Sequence, residues 1–195
     1  MKIDQLIQTR RNIRVIGIDD AHYADKSLGS KVNLAAVVCS STRFEGMLWG
    51  EISKDGMDST ERIAQLVEQS KFHAQLHLVL LDGITFGGAN VVDLDELNKQ
   101  LRLPVVAVMR RSPNMQDFRA VLDHLPDSAE RWRRTQAAGE IHETKNWTFQ
   151  CVGEEPTVID RALTRLTDTG KVPEALRIAH LIGSAIKLGE STNRA

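Results

Sequence analysis

Three strand-like runs follow one another in the first third of this chain with no helix between them. Every later strand is separated from the next by a helical stretch. That order restricts the possible folds more than any single motif does. "IRVIGID" at 13–19 is continuous and β-branched, the pattern of a buried strand. After a polar loop holding Gly29 and Asn33, "LAAVVCS" reads as a second strand, and "FEGMLWGEI" at 44–52 as a third, hairpinned to it through "STR". "DSTERIAQLVEQS" turns helical, with Ile63, Leu66, Val67 and Ser70 on one face, and leads to a fourth strand, "LHLVLLD". "DLDELNKQL", opened by Asp93, is a short helix before a fifth strand, "LPVVAVM". Helical patterns near 115–124 and 127–138 follow, then an isolated strand-like piece, "IHETKNWTFQCVG". Two closing helices are expected at 156–168 and 173–189, each with a proline near its first turn. The order β-β-β-α-β-α-β predicts an α/β fold. An antiparallel meander is extended by parallel crossovers into a mixed five-stranded sheet, with helices on its faces and a helical C-terminal part.

No repeat, low-complexity segment or Pro/Ser-rich linker divides the chain, so one domain is expected over residues 1–195, long enough to bury a core unaided. Lys and Arg number 25 against 26 Asp and Glu. This balance excludes a generic polyanion binder, because nonspecific affinity for nucleic acid comes from neutralising phosphates. A local patch would be needed instead. Arg110, Arg111, Arg131, Arg133, Arg134 and Lys145, with Trp132 and Trp147 interleaved, supply either such a face or an ordinary solvated helix surface. Cys39 and Cys151 lack metal-ligand spacing and read as buried, inert thiols of a reducing compartment. "MKIDQLIQTR" lacks the apolar segment of a signal peptide, and no stretch is long enough to span a bilayer; a soluble, cytoplasmic protein is expected, with no membrane partner.

The chemistry-bearing residues lie at strand ends. Asp19 and Asp20 end the first strand and Asp82 ends the fourth. In a meander-plus-crossover sheet these strands are neighbours, so their carboxyl ends converge. Carboxylates gathered there suit Mg²⁺ or Mn²⁺, because such an ion takes a few carboxylates plus waters and leaves positions for phosphate oxygens. Because successive side chains of an extended strand alternate, Asp19 and Asp20 face opposite ways. Glu61, at the start of the first long helix, is a further candidate ligand or a partner in an Asp58–Glu61 capping box. Tyr23 follows Asp20 at a spacing that permits a substrate contact. Gly83, Gly87 and Gly88 in "GITFGGAN", with Asn90, suggest a rim along which a substrate backbone passes. There is no GxxxxGK[ST] or GxGxxG, so nucleotide binding of those kinds is not expected. His180, on the last helix, is a candidate ligand or acid/base or else a boundary residue.

"IRVIGIDDAHY", "LVLLDGITFGGANVVD", "LPVVAVMRR" and "PEALRIAHLIGSAI" together resemble domain-of-unknown-function family 99, also called UPF0215 or the endonuclease dU family, over nearly the whole chain. The resemblance implies a relative of endonuclease V with a ribonuclease H-like fold, acting on deaminated DNA. It implies that Asp19 or Asp20 is the first-strand metal ligand, Glu61 the helix ligand, and Asp82, followed by Gly83, the aspartate of an Asp-Gly motif. His180 stands where endonuclease V has a late-helix aspartate. The base-separating proline-tyrosine wedge of endonuclease V has no counterpart in "EISKDGMDST", and its histidine-proline-arginine segment is replaced by "TFGGANVVD".

The function expected is a metal-dependent endonuclease that hydrolyses phosphodiester bonds in DNA carrying deaminated bases. Asp19, Asp20, Asp82 and Glu61 would hold the metal, with His180 assisting. Tyr23, Gly83, Gly87, Gly88, Asn90, Arg110 and Arg111 would contact the substrate. The partner is DNA, single-stranded or deaminated, with RNA as an alternative. The rival class is a nucleic-acid binder or adaptor on the same fold that has lost turnover.

Overall fold

The computed structural model describes residues 2–192. In chain order these form α1 (Ile3–Gln8), β1 (Arg14–Asp20), β2 (Lys31–Ser40), β3 (Arg43–Ser53), α2 (Ser59–Glu68), β4 (Leu78–Asp82), β5 (Thr85–Phe86) and β6 (Asn90–Val91). They continue through α3 (Leu94–Leu101), β7 (Val105–Met109), α4 (Met115–Asp123), α5 (Ser128–Ala137), β8 (His142–Glu143), β9 (Thr148–Val152), α6 (Pro156–Arg165) and α7 (Glu174–Leu188).

β1, β2 and β3 pair antiparallel, whereas β1, β4 and β7 pair in parallel. The main sheet is ordered β3-β2-β1-β4-β7-β9-β8. The mixed α/β arrangement expected from the element order is present, and the sheet is two strands wider than five. The piece that looks isolated in sequence is not: β9 pairs antiparallel with β7, and β8 with β9. The reason is visible in its own pattern. Trp147 and Phe149 alternate with Thr148, and both aromatic side chains are buried in the core beside β7. Two further elements escaped the sequence pattern. α1 is a single short helix that buries Ile3 and Leu6, and the glycine-rich loop folds as a small β5–β6 hairpin.

Alternation along the central strands divides the apolar residues between two cores. Val15, Leu78, Leu80, Val106 and Val108 face α1, α6 and α7. Ile16, Ile18, Val79, Leu81 and Ala107 face α2 and α3. Because both faces are covered, the central strands read as unbroken apolar runs. α2 contributes Ile63, Ala64 and Val67 to its core, and α3 contributes Leu94, Leu97 and Leu101. α3 starts where Asp93 accepts the Glu96 N–H at 3.0 Å. No helix among the described residues is long and apolar enough to cross a membrane.

Candidate active site

β1 and β4 run side by side with Ile18 opposite Leu81. One step further along this parallel register brings the strand-terminal acids Asp19 and Asp82 alongside each other. Alternation puts both on the α7 face, Asp19 in the series Val15–Gly17–Asp19 and Asp82 in the series Leu78–Leu80–Asp82.

α7 covers them at very short range. A Cβ on Gly17 would lie 2.6 Å from the Ala175 carbonyl carbon, and one on Gly183 would lie 3.2 Å from Ala21 Cα. Helix and strand therefore touch almost backbone to backbone on both sides of Asp19, which sets His180 between the two contacts. His180 Nδ1 lies 2.9 Å from Asp19 Oδ2, and its Nε2 lies 3.2 Å from Thr192 Oγ1. The carboxylate bond raises the His180 pKa against the opposing effect of burial.

Asp20 points the other way, as the alternation requires, and its Oδ2 accepts the Gly87 N–H at 2.6 Å. It nevertheless lines, with Asp19, Asp82, His180, Tyr23 and Lys26, one cavity of about 310 Å³ at the carboxyl ends of β1 and β4. Burial, reinforced by the Asp19 charge, pushes the Asp20 carboxyl up to about 6 although the Gly87 amide opposes it. Burial and Asp19 also push Asp82 up to about 6, while Arg110 and His180 pull in the other direction. The cavity is thus a concentration of negative charge that the protein's own cations only partly offset.

These shifts have a measurable consequence. An acid whose folded-state pKa lies above its ordinary value contributes stability below that ordinary value and loses the contribution as pH rises through the folded one. His180, raised by its carboxylate partner, acts in the same sense. In EDTA the unfolding temperature should therefore fall by several degrees between pH 5 and pH 7.5, on the order of 2 kcal/mol. Scanning calorimetry across that range checks it, and a flat or rising profile contradicts the electrostatic account.

The structure does not bring every expected residue to this cavity. Glu61 is exposed on α2 and accepts a bond from Gln65 Nε2 at 2.8 Å. Nor does it form the capping box, because Asp58 makes no side-chain bond to the helix start and instead accepts from Ser53 and Asn90. Asn90 is fully buried, accepting from the Ser59 N–H and donating to Ser53 O, so it serves the scaffold and not a substrate.

The glycine segment is a held hairpin and not an open rim. Gly87 is buried, with positive φ, its N–H on Asp20 and its carbonyl accepting the Asp55 N–H at 2.9 Å. Gly88 also has positive φ, and a Cβ there would run into the Asp55 carboxylate. Gly83 donates to Val108 O at 2.9 Å, tying β4 to β7 just beyond Asp82. Tyr23 does line the cavity, with Lys26 Nζ 4.0 Å above its ring. Arg111 is exposed away from the cavity lining.

Half of the supposed basic face is scaffold too. Arg131 is 2% exposed, and its guanidinium donates to the carbonyls of Pro126, Gly56, Ala89 and Asp55. Arg133 pairs with Asp93 and Glu130, Arg134 pairs with Glu130, and Trp147 is buried. Cys39 and Cys151 are unpaired thiols whose pKa values burial pushes up to about 12 and about 11.

A family model described as endonuclease dU matches residues 11–187. The chain belongs to the endonuclease dU family. Among its relatives, a UPF0215 protein of Methanosarcina mazei is 36% identical over 200 residues, covering 99% of this chain and 100% of that protein. The crystal structure of a protein of unknown function from Archaeoglobus fulgidus superposes with a TM-score of 0.84 at 35% identity, covering 89% of this chain and 98% of that one. Endonuclease V of Ciona intestinalis, solved with a 24-mer DNA containing an inosine followed by a ribo-adenosine, has a TM-score of 0.58 at 14% identity, covering 92% of this chain and 87% of that one. The chain therefore shares the fold of endonuclease V, a ribonuclease H-like arrangement.

Among the described residues no three His, Cys, Asp or Glu side chains form a ready-made metal cage. The donor chemistry still fits a hard divalent cation: Asp19 and Asp82 side by side, with Asp20 lining the same cavity and the charge incompletely offset. An ion such as Mg²⁺ needs one or two carboxylates and keeps several waters. Sequence reasoning missed Gly17 and Gly183, although a glycine inside an otherwise β-branched strand is itself a signal of close backbone approach. It also missed Lys26 and the Gly87–Asp20 bond, which join residues far apart in the chain.

Proposed function

We propose that this protein is a metal-dependent endonuclease that hydrolyses phosphodiester bonds in DNA carrying deaminated bases of the deoxyuridine type. The observation that carries the proposal is the Asp19–Asp82 carboxylate pair at the ends of adjacent parallel strands, covered by His180. The family description and the fold shared with endonuclease V support it.

In this reading Asp19 and Asp82 hold Mg²⁺ or Mn²⁺, with Asp20 at the edge of the same cavity. A divalent ion bound there would lower the pKa of a water and offset charge on the phosphate. Asp19 holds the His180 ring through Nδ1, so proton transfer to the departing oxygen falls to Nε2, which would have to leave Thr192 Oγ1 to make it. Tyr23 offers an aromatic face to a base, and Arg110, close enough to act on Asp82, offers a cation to the phosphate.

The test is cleavage of a labelled deoxyuridine-containing oligonucleotide, beside undamaged and inosine-containing strands, with Mg²⁺, Mn²⁺ or EDTA. Cutting of the deoxyuridine strand that requires metal is the expected result. Binding that persists in EDTA without product under any metal would establish the adaptor class instead.

A further inference from the structure

Arg110, whose charge reaches both Asp82 and His180, lines a second cavity of about 380 Å³. Lys145 and Lys171 line it too, with Thr144, Asn146 and Thr148, and no acidic side chain does. We propose that this cavity binds a backbone phosphate of a single-stranded nucleic acid whose neighbouring phosphodiester lies at the carboxylates, with Lys145 and Lys171 as its principal cations. The inference rests on the nuclease reading and adds to it a path for the strand.

The three cations come from three separate places: the segment after β7, the β8–β9 turn and the α6–α7 connection. Most of this chain's arginines and lysines near carboxylates are neutralised in place, as Arg133 and Arg134 are by Glu130 and Arg177 is by Glu174. Arg110, Lys145 and Lys171 make no ion pair among the described residues, although they share one small concavity. Arg110 has Asp82 within reach of its charge, whereas no acidic side chain lines the concavity beside Lys145 and Lys171, and an anion seated there offsets the repulsion among the three cations. With a net charge of −1, the protein has no general attraction for a polyanion, so any attraction has to be local.

The turn that carries Lys145 is also fixed in advance. Thr144 Oγ1 accepts the N–H groups of Asn146 and Trp147 at 3.4 and 3.1 Å. The Trp147 ring is buried, and its Nε1–H donates to Thr164 Oγ1 on α6 at 3.3 Å. The Thr148 hydroxyl and the Asn146 amide along the wall add neutral donors, the mixture by which proteins hold sugar–phosphate backbones without reading sequence.

Binding of a fluorescent oligothymidylate, measured in EDTA over a salt series, tests this. Lys145→Gln and Lys171→Gln should each weaken binding by roughly threefold to tenfold at low salt. Each should also make the slope of log affinity against log salt shallower by about 0.7, the value for one phosphate contact on a single strand. Lys171→Arg should keep the wild-type slope, which a loss of structure would not. An unchanged slope in the Lys145→Gln/Lys171→Gln double variant overturns the proposal, as does a wild-type protein that does not bind the oligonucleotide. Displacement of the oligonucleotide by inorganic phosphate at equal phosphate concentration also overturns it, because the site would then serve a small free anion. Failure of the nuclease reading is distinguishable: it leaves the salt slopes intact while no metal supports cleavage.

Discussion

Replacing Asp82 with asparagine should reduce cleavage by a thousandfold or more and at the same time make the protein more stable at pH 7.5. Both effects come from one side chain. Asp82 ends β4 beside Asp19, in a cavity where burial and that neighbour push its carboxyl up to about 6. At pH 7.5 the folded protein therefore holds an ionised group that would rather be protonated, at a cost of roughly 2–3 kcal/mol relative to the unfolded chain. Asparagine has the same shape and no charge, so the penalty disappears. It is also a much poorer ligand for a hard cation, and the loss of several kcal/mol of transition-state stabilisation corresponds to the rate loss expected. Single-turnover cleavage and thermal unfolding of the same preparation measure the two together. Activity within tenfold of wild type refutes the role assigned to Asp82, and a lowered unfolding temperature refutes the electrostatic account.

Gly17→Val should damage the fold more than the loss of any single surface contact. The added Cβ alone would sit 2.6 Å from the Ala175 carbonyl carbon and 2.7 Å from the Leu176 nitrogen, both main-chain atoms that cannot rotate aside. Overpacking of this kind costs about 3 kcal/mol or more. Because the only relief is to lift α7 from β1, the displacement separates His180 from Asp19. Denaturant unfolding should show a large drop in midpoint with little change in slope. In whatever protein remains folded, the pH profile of cleavage should lose the contribution of His180. A variant with wild-type stability would mean that α7 has more freedom than the contact implies.

The β-β-β-α-β-α-β order was legible because the central strands are covered on both faces and the helices are amphipathic. Such patterns are local. The convergence of Asp19 and Asp82 was also legible, because it needs only the expectation that the first and fourth strands are neighbours. Other features were hidden for physical reasons. Thr148–Val152 looks isolated because its pairing partner, β7, lies about forty residues earlier, and no local signal announces a long-range antiparallel edge. The glycine segment looks permissive, yet its conformation is fixed by Asp20 and Asp55, acids distant in sequence. Arg131 resembles its exposed neighbour Arg133 in every local respect. Only the tertiary structure reveals four carbonyl acceptors around it.

The opposite orientation of Asp19 and Asp20 has a further consequence. Each acid belongs to a different one of the two cores: Asp19 is steadied by α7 and Asp20 by the hairpin on the other side of the sheet. The end of β1 is therefore a shared hinge pin between two layers that are otherwise packed separately. A substitution in α7 bears directly on the partner of Asp19, and one in the hairpin bears directly on the partner of Asp20. The two acids thus take their positions from different layers while their charges still act on each other across one cavity.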